Sequence, residues 1–117
     1  MGTSSARAEP PVSACVCYVT AGSAEEARSL GRTLVEERLA ACANILDGVT
    51  SLYWWQGTLE QAAESMVILK TRSELVPALT ERVRQLHSYA CPCVVALPIS
   101  DGNSDYLDWI ASETRSP

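Results

Sequence analysis

Apolar runs with a period of two alternate along this chain with stretches whose apolar positions recur every three to four residues, and the changes of period mark its elements. Residues 14–20 are an apolar run containing Val16, Tyr18 and Val19, with Pro11 before it and Gly22 after it, which predicts a buried strand. Ser23 followed by Glu26 has the spacing of a capping box, in which hydroxyl and carboxylate each satisfy a backbone N–H at the start of a helix. Ala27, Leu30, Leu34 and Val35 give this helix one apolar stripe, and Arg28, Arg32, Glu36 and Glu37 fall elsewhere. The pattern places the helix end near Leu39.

Residues 49–55 are rich in β-branched and aromatic side chains, Gln56-Gly57 is a two-residue turn signal, and residues 58–71 end in the apolar block Met66-Val67-Ile68-Leu69. Together they predict a long β-hairpin. Ser73 opens a second helix with Leu75, Val76, Leu79, Val83 and Leu86 on one face, and Pro77 lies early enough to be tolerated. Pro92 lies beyond its end. Val94-Val95-Ala96-Leu97 reads as a fourth strand that Pro98 pushes toward a sheet edge or a terminus. Asp101-Gly102-Asn103 then turns into a last helix, predicted to carry Tyr106, Leu107 and Ile110 inward.

This order lacks the repeated βαβ alternation of a doubly wound sheet. It predicts an α+β fold, a ferredoxin-like split βαβ sandwich with a long β-hairpin and an extra C-terminal helix. The length of 117 residues suits one domain. Residues 1–11, small and polar and ending in a Pro pair, read as a flexible N-terminal tail, with the single domain over residues 12–117.

A net charge of −5 without a Lys/Arg stripe argues against nucleic acid as a partner, and no apolar run reaches the length of a membrane-spanning helix. The start of the chain lacks the pattern of a signal peptide. Cys15, Cys17, Cys42, Cys91 and Cys93 are odd in number, so reduced thiols in a cytoplasmic protein are expected. No Gly-rich phosphate loop, nucleophile elbow or paired carboxylates stand out, and no catalytic residue is nominated.

The chemistry that does stand out is His87-Ser88-Tyr89-Ala90-Cys91-Pro92-Cys93, one imidazole and two thiols after the second helix. Such donors suit copper or zinc. Two readings stay open for Cys91 and Cys93, metal ligands or inert thiols. His87 also suits a helix C-terminal cap, while Cys15, Cys17 and Cys42 also read as small buried hydrophobes.

Several blocks together resemble the CutA family. These are Val35-Glu36-Glu37-Arg38-Leu39-Ala40-Ala41-Cys42-Ala43-Asn44-Ile45, Gly48-Val49-Thr50-Ser51-Leu52-Tyr53-Trp54-Trp55-Gln56-Gly57, Ile68-Leu69-Lys70-Thr71, Ala96-Leu97-Pro98-Ile99 and Tyr106-Leu107-Asp108-Trp109. The resemblance implies a ferredoxin-like protomer in a homotrimer, a non-enzymatic protein that binds copper or another divalent cation and contributes to metal tolerance. Tyr53, Trp54 and Trp55 agree with a homotrimer, because adjacent strand positions point to both faces and one large ring must leave the protomer's own core.

In the family the stretch after the second helix reads His-Pro-Tyr-Glu-x-Pro-Glu, so Ser88, Ala90 and Cys93 are departures, and a family cysteine at the end of strand one is Val19 here. Cys17, two residues earlier, is then a substitute ligand, with antiparallel pairing of strands one and four expected to bring it near Cys93. The metal set is His87, Cys93, Cys91 and Cys17. The alternative is a trimeric signalling protein holding a small ligand between protomers beside Lys70, Trp55 and Tyr106, or an interaction scaffold.

Overall fold

A computed structural model of the protein describes residues 13–117, so the tail read over residues 1–11 lies outside the described residues. The elements are β1 (Ala14–Ala21), α1 (Ala24–Glu36), β2 (Cys42–Trp55), β3 (Thr58–Arg72), α2 (Val76–Leu86), β4 (Val94–Pro98) and α3 (Ser104–Ser112). The four strands form one antiparallel sheet in the order β2-β3-β1-β4. This is the ferredoxin-like split βαβ arrangement, with β4 on an edge and Pro98 its last residue.

Strand β1 pairs on both sides, so its alternating side chains supply two faces. Cys15, Cys17, Val19 and Ala21 are buried with Ala27, Leu30 and Leu34 of α1, Leu79 and Val83 of α2, and Val67 and Leu69 of β3. The thiols of Cys15 and Cys17 therefore do the work of small apolar groups. On the opposite face α3 covers only one end, where Ile110 packs with Ala14 and Ala41. The rest of that face is open, and Val95 and Leu97 of β4 are exposed.

Helix α1 ends at Glu36, short of Leu39, because Arg38 adopts the left-handed conformation at φ 62°. Arg38 N–H then donates to Val35 O and Leu39 N–H to Leu34 O, the pair of bonds that closes a Schellman cap. The reversal drops Leu39 into the core, and the Arg38 guanidinium reaches the Glu113 carboxylate at 2.8 Å.

Strand β2 begins at Cys42, seven residues ahead of the predicted start. Asp47-Gly48 interrupts the apolar pattern, but structurally it is a bulge between the Leu46 and Val49 pairings, with Gly48 at φ 74°. At the tip, Gln56 and Gly57 have φ of 51° and 81°, which two-residue hairpin loops of type I′ require. The hairpin stretches the molecule to 60 × 28 × 23 Å.

Two helical faces are narrower than predicted. A 3-10 turn over Ser73–Leu75 precedes α2, and Leu86 at its end is exposed. In α3 Ile110 is buried and Leu107 partly so, but Tyr106 is 41% exposed, its ring 5.5 Å from that of Trp109. The stripe that meets the sheet runs through Leu107 and Ile110, and Tyr106 lies on its flank.

Helix α1 approaches the sheet closely at Gly31, where an added Cβ would come within 3.0 Å of Ala43 Cβ and 3.1 Å of Ile45 Cδ1. Gly31→Val is expected to destabilise the fold by about 1–3 kcal/mol through overpacking, despite the better helix propensity of Val. Denaturant midpoints at fixed protein concentration check this, and an unchanged or raised midpoint would refute the close packing.

Candidate functional site

The end of β1, the start of α1 and the segment 87–93 between α2 and β4 meet at one end of the sheet. Ser23 caps α1 by accepting Glu26 N–H at its hydroxyl, 3.1 Å away. The Glu26 carboxylate, however, reaches one residue beyond the capping-box partner, to Gly22 N–H at 3.2 Å. It also accepts from Ser88 N–H at 2.9 Å and from the Ser88 hydroxyl at 3.0 Å. One side chain thus ties the turn after β1 to the segment after α2. The Ser23/Glu26 spacing signalled the cap, but nothing local signalled a partner 62 residues away.

His87 makes the second tie. Its side chain has no exposed surface. Nε2 lies 2.7 Å from Thr20 O, to which it can only donate, and Nδ1 accepts Tyr89 N–H at 3.0 Å. These contacts assign the Nε2–H tautomer and occupy both ring nitrogens. His87 stands at the C-cap position of α2, but its imidazole holds the end of β1 instead of the last helical carbonyls.

Tyr89 makes a third tie, its hydroxyl donating to Glu64 Oε2 at 2.8 Å. Burial, then the hydrogen bond and charge of Glu64, push the Tyr89 phenol up to about 12, so it stays a donor through the neutral range. Glu64 sits on β3 opposite Val49, just past the bulge, and is itself buried.

These ties shape a cleft of about 540 Å³ between segment 87–93 and the hairpin. Its wall includes Tyr18, Thr20, Tyr53, Trp55, Glu64, Tyr89, Cys91 and Cys93. Cys91 is exposed and Cys93 partly so.

The sequence-derived metal set does not assemble within the chain. Cys17 is buried on the helix side of the sheet, whereas Cys93 lines the cleft with Tyr18 and Thr20 on the other side. The expected approach of Cys17 to Cys93 fails because Cys93 follows the orientation of Thr20, one step out of phase with Val19. The sulfur of Cys15, 4.0 Å away, together with burial pushes the Cys17 thiol up, so it stays protonated and a poor ligand. His87 has no free lone pair. Among the described residues no group of three or more His, Cys, Asp or Glu side chains is placed to hold a metal ion. What remains is Cys91 and Cys93, both of which line the cleft.

The small-ligand set also divides. Lys70 Nζ donates to Asn44 Oδ1 at 2.8 Å, and the Tyr106 hydroxyl lies 3.6 Å from Cys42 Sγ, Cys42 being the strand partner of Lys70. Lys70 and Tyr106 therefore flank Cys42, while Trp55 belongs to the cleft near the hairpin tip. Tyr18, Thr20, Tyr53, Glu64 and Tyr89 line the cleft although the sequence nominated none of them as a site residue. Alternation could have placed Tyr18 on the outer face, but Glu64 was indistinguishable from a solvated carboxylate.

Burial raises the pKa of Glu26, but the hydrogen bonds from Ser88 N–H, the Ser88 hydroxyl and Gly22 N–H outweigh it, and the net shift is downward. A carboxylate held below its unfolded value contributes stability above the unfolded pKa of about 4.3, and that contribution is lost as pH falls through the folded pKa. Stability measured against pH should therefore fall on the acid side in the parent chain and less steeply in Glu26→Gln. Glu26→Ala is expected to cost about 1.5–3 kcal/mol, the range for hydrogen bonds to charged groups. It should also raise amide exchange at Ser88 at least tenfold, and unchanged exchange there would show that Glu26 does not hold the segment.

Comparison with known proteins agrees with the fold and the shared sequence blocks. The family described as CutA1 divalent ion tolerance protein matches residues 15–113. The divalent-cation tolerance protein CutA of Thermus thermophilus is 48% identical over 99 residues, covering 85% of this chain and 96% of that one. The chloroplastic protein CutA 1 of Oryza sativa is 45% identical over 104 residues, 89% of this chain, which spans 59% of the rice protein's length. The crystal structure of CutA1 from Oryza sativa superposes with a TM-score of 0.88 at 44% identity, covering 91% of this chain and 97% of that one. With the family matched over nearly all of the described residues, the chain belongs to the CutA1 divalent ion tolerance family.

Proposed function

We propose that the chain works as a homotrimer that binds a metal ion, copper or another divalent cation such as zinc, and so contributes to divalent-metal tolerance as a binding protein and not an enzyme. The observation that carries this reading is membership of a family described by divalent ion tolerance. The donor chemistry of Cys91 and Cys93 on the cleft wall agrees with it. Five free thiols suit a reducing compartment, which supports a cytoplasmic location as part of this reading.

The homotrimer is supported by apolar surface with no partner in the chain. Leu52, Trp54 and Leu59 on the hairpin are 64%, 73% and 57% exposed, and Leu97 on the edge strand is 55% exposed. Soluble monomers rarely leave such residues contiguous in water, and interfaces are where large aromatic rings gather.

A second reading has one observation in its favour. The cleft is lined by Tyr18, Tyr53, Trp55 and Tyr89 with the Glu64 carboxylate among them, a mostly apolar wall with few polar groups of the kind that holds small organic ligands. Lys70 and Tyr106 would then reach it only from a neighbouring protomer.

Light scattering should give three times the chain mass of 12.6 kDa, and Leu52→Asp/Trp54→Asp should shift the particle toward monomer. Titration under reducing conditions should load copper or zinc at one ion per chain, and cells lacking the protein should become more sensitive to copper. A monomer that retains neither metal would overturn the reading. Saturable binding of a small organic molecule without metal would transfer the function to the cleft.

A further inference from the structure

Segment 87–93 is held at both ends and in the middle before any ligand arrives. His87 and Glu26 fix its start, the Tyr89 hydroxyl fixes its course against Glu64, and Val94 pairs with Val19 directly after it. Between these anchors Pro92 restricts the backbone between two thiols that both face the cleft. Elsewhere in this chain, two cysteines two residues apart on β1 bring their sulfurs to 4.0 Å. Two metal–thiolate bonds of about 2.3 Å placed in line span about 4.6 Å, a separation of the same order.

The number and kind of donors matter as much as their spacing. Zinc in protein sites takes four ligands, and the described residues offer no set of three. Two thiolates with no third protein donor suit a soft ion content with two ligands, and copper(I) is the ion that soft sulfur ligands select. Glu64 and Glu26 nearby and a net charge of −5 favour a cation over an anion.

We propose that Cys91 and Cys93 form a two-coordinate copper(I) site on the wall of this cleft, with His87 as a positioning residue that holds the segment and gives the ion no bond. The proposal deepens the metal-binding reading above and rests on it. On binding, each thiol releases its proton to solvent and the two sulfurs donate to the ion, which keeps its oxidation state. Affinity therefore falls as pH falls.

The full chain, reduced and kept without oxygen, is titrated with copper(I) in competition with a chromophoric copper(I) chelator, and separately with copper(II) and zinc. The parent chain and Cys42→Ser should each hold one copper(I) per chain, while Cys91→Ser/Cys93→Ser weakens it at least a hundredfold with circular dichroism and particle mass unchanged. X-ray absorption of the loaded protein should show two sulfur neighbours and no nitrogen. Equal affinity in the double cysteine variant, or a nitrogen neighbour, overturns the site. Binding of copper(II) or zinc that ignores both cysteines, without copper(I) binding, overturns this proposal and leaves the metal-tolerance reading standing. Retention of no metal in any form removes both.

Discussion

Strand β1 sits between β3 and β4 and is hydrogen-bonded on both sides, and the rest of the molecule is arranged around that constraint. A doubly paired strand cannot slip by one residue without exchanging its two faces. Here one face carries Cys15, Cys17, Val19 and Ala21 into a core closed by α1 and α2, with Cys17, Val19 and Ala21 entirely buried. The other carries Val16, Tyr18 and Thr20 toward the open side of the sheet, where Tyr18 and Thr20 become cleft wall. The same alternation explains why the thiols of β1 are structural and those of segment 87–93 are available to a ligand.

Three polar ties hold the segment that forms one wall of the cleft. Glu26, His87 and Glu64 come from α1, the end of α2 and β3, and each holds an atom of segment 87–93 or of the strand beside it. Among the described residues no buried side-chain nitrogen or oxygen lacks a hydrogen-bond partner. That satisfaction matters because an unpaired buried polar group costs about 1–3 kcal/mol. A histidine that would pass in a sequence for a ligand is thereby committed to the fold, and its commitment places the cysteines that follow it.

The hairpin shows the opposite economy. Past the bulge at Asp47-Gly48 its two strands bond to each other and to little else in the chain, and they carry Leu52, Trp54 and Leu59 into solvent. The bulge lets one strand serve two environments, packing Ala43 and Ile45 against α1 before it and extending freely after it.

The sequence by itself determined the order of elements, the capped start of α1, the turn at Gln56-Gly57 and the edge position of β4. Each of these rests on local chemistry, such as a hydroxyl three residues from a carboxylate, a glycine where φ must be positive, or a proline without a donor. It also carried the blocks that mark the family. Tertiary structure alone decided that Asp47-Gly48 is a bulge, that Arg38 takes the left-handed cap, that Tyr106 is exposed, and that His87, Cys17 and Cys93 do not converge. The bulge depends on the register of β2 against β3, and the site depends on groups that meet across 60 or more residues of chain, as His87 meets Thr20 and Glu26 meets Ser88. Spacing along the sequence reports the face of a strand or helix on which a side chain lies, but the partner waiting at that face is supplied by the packing of the whole sheet.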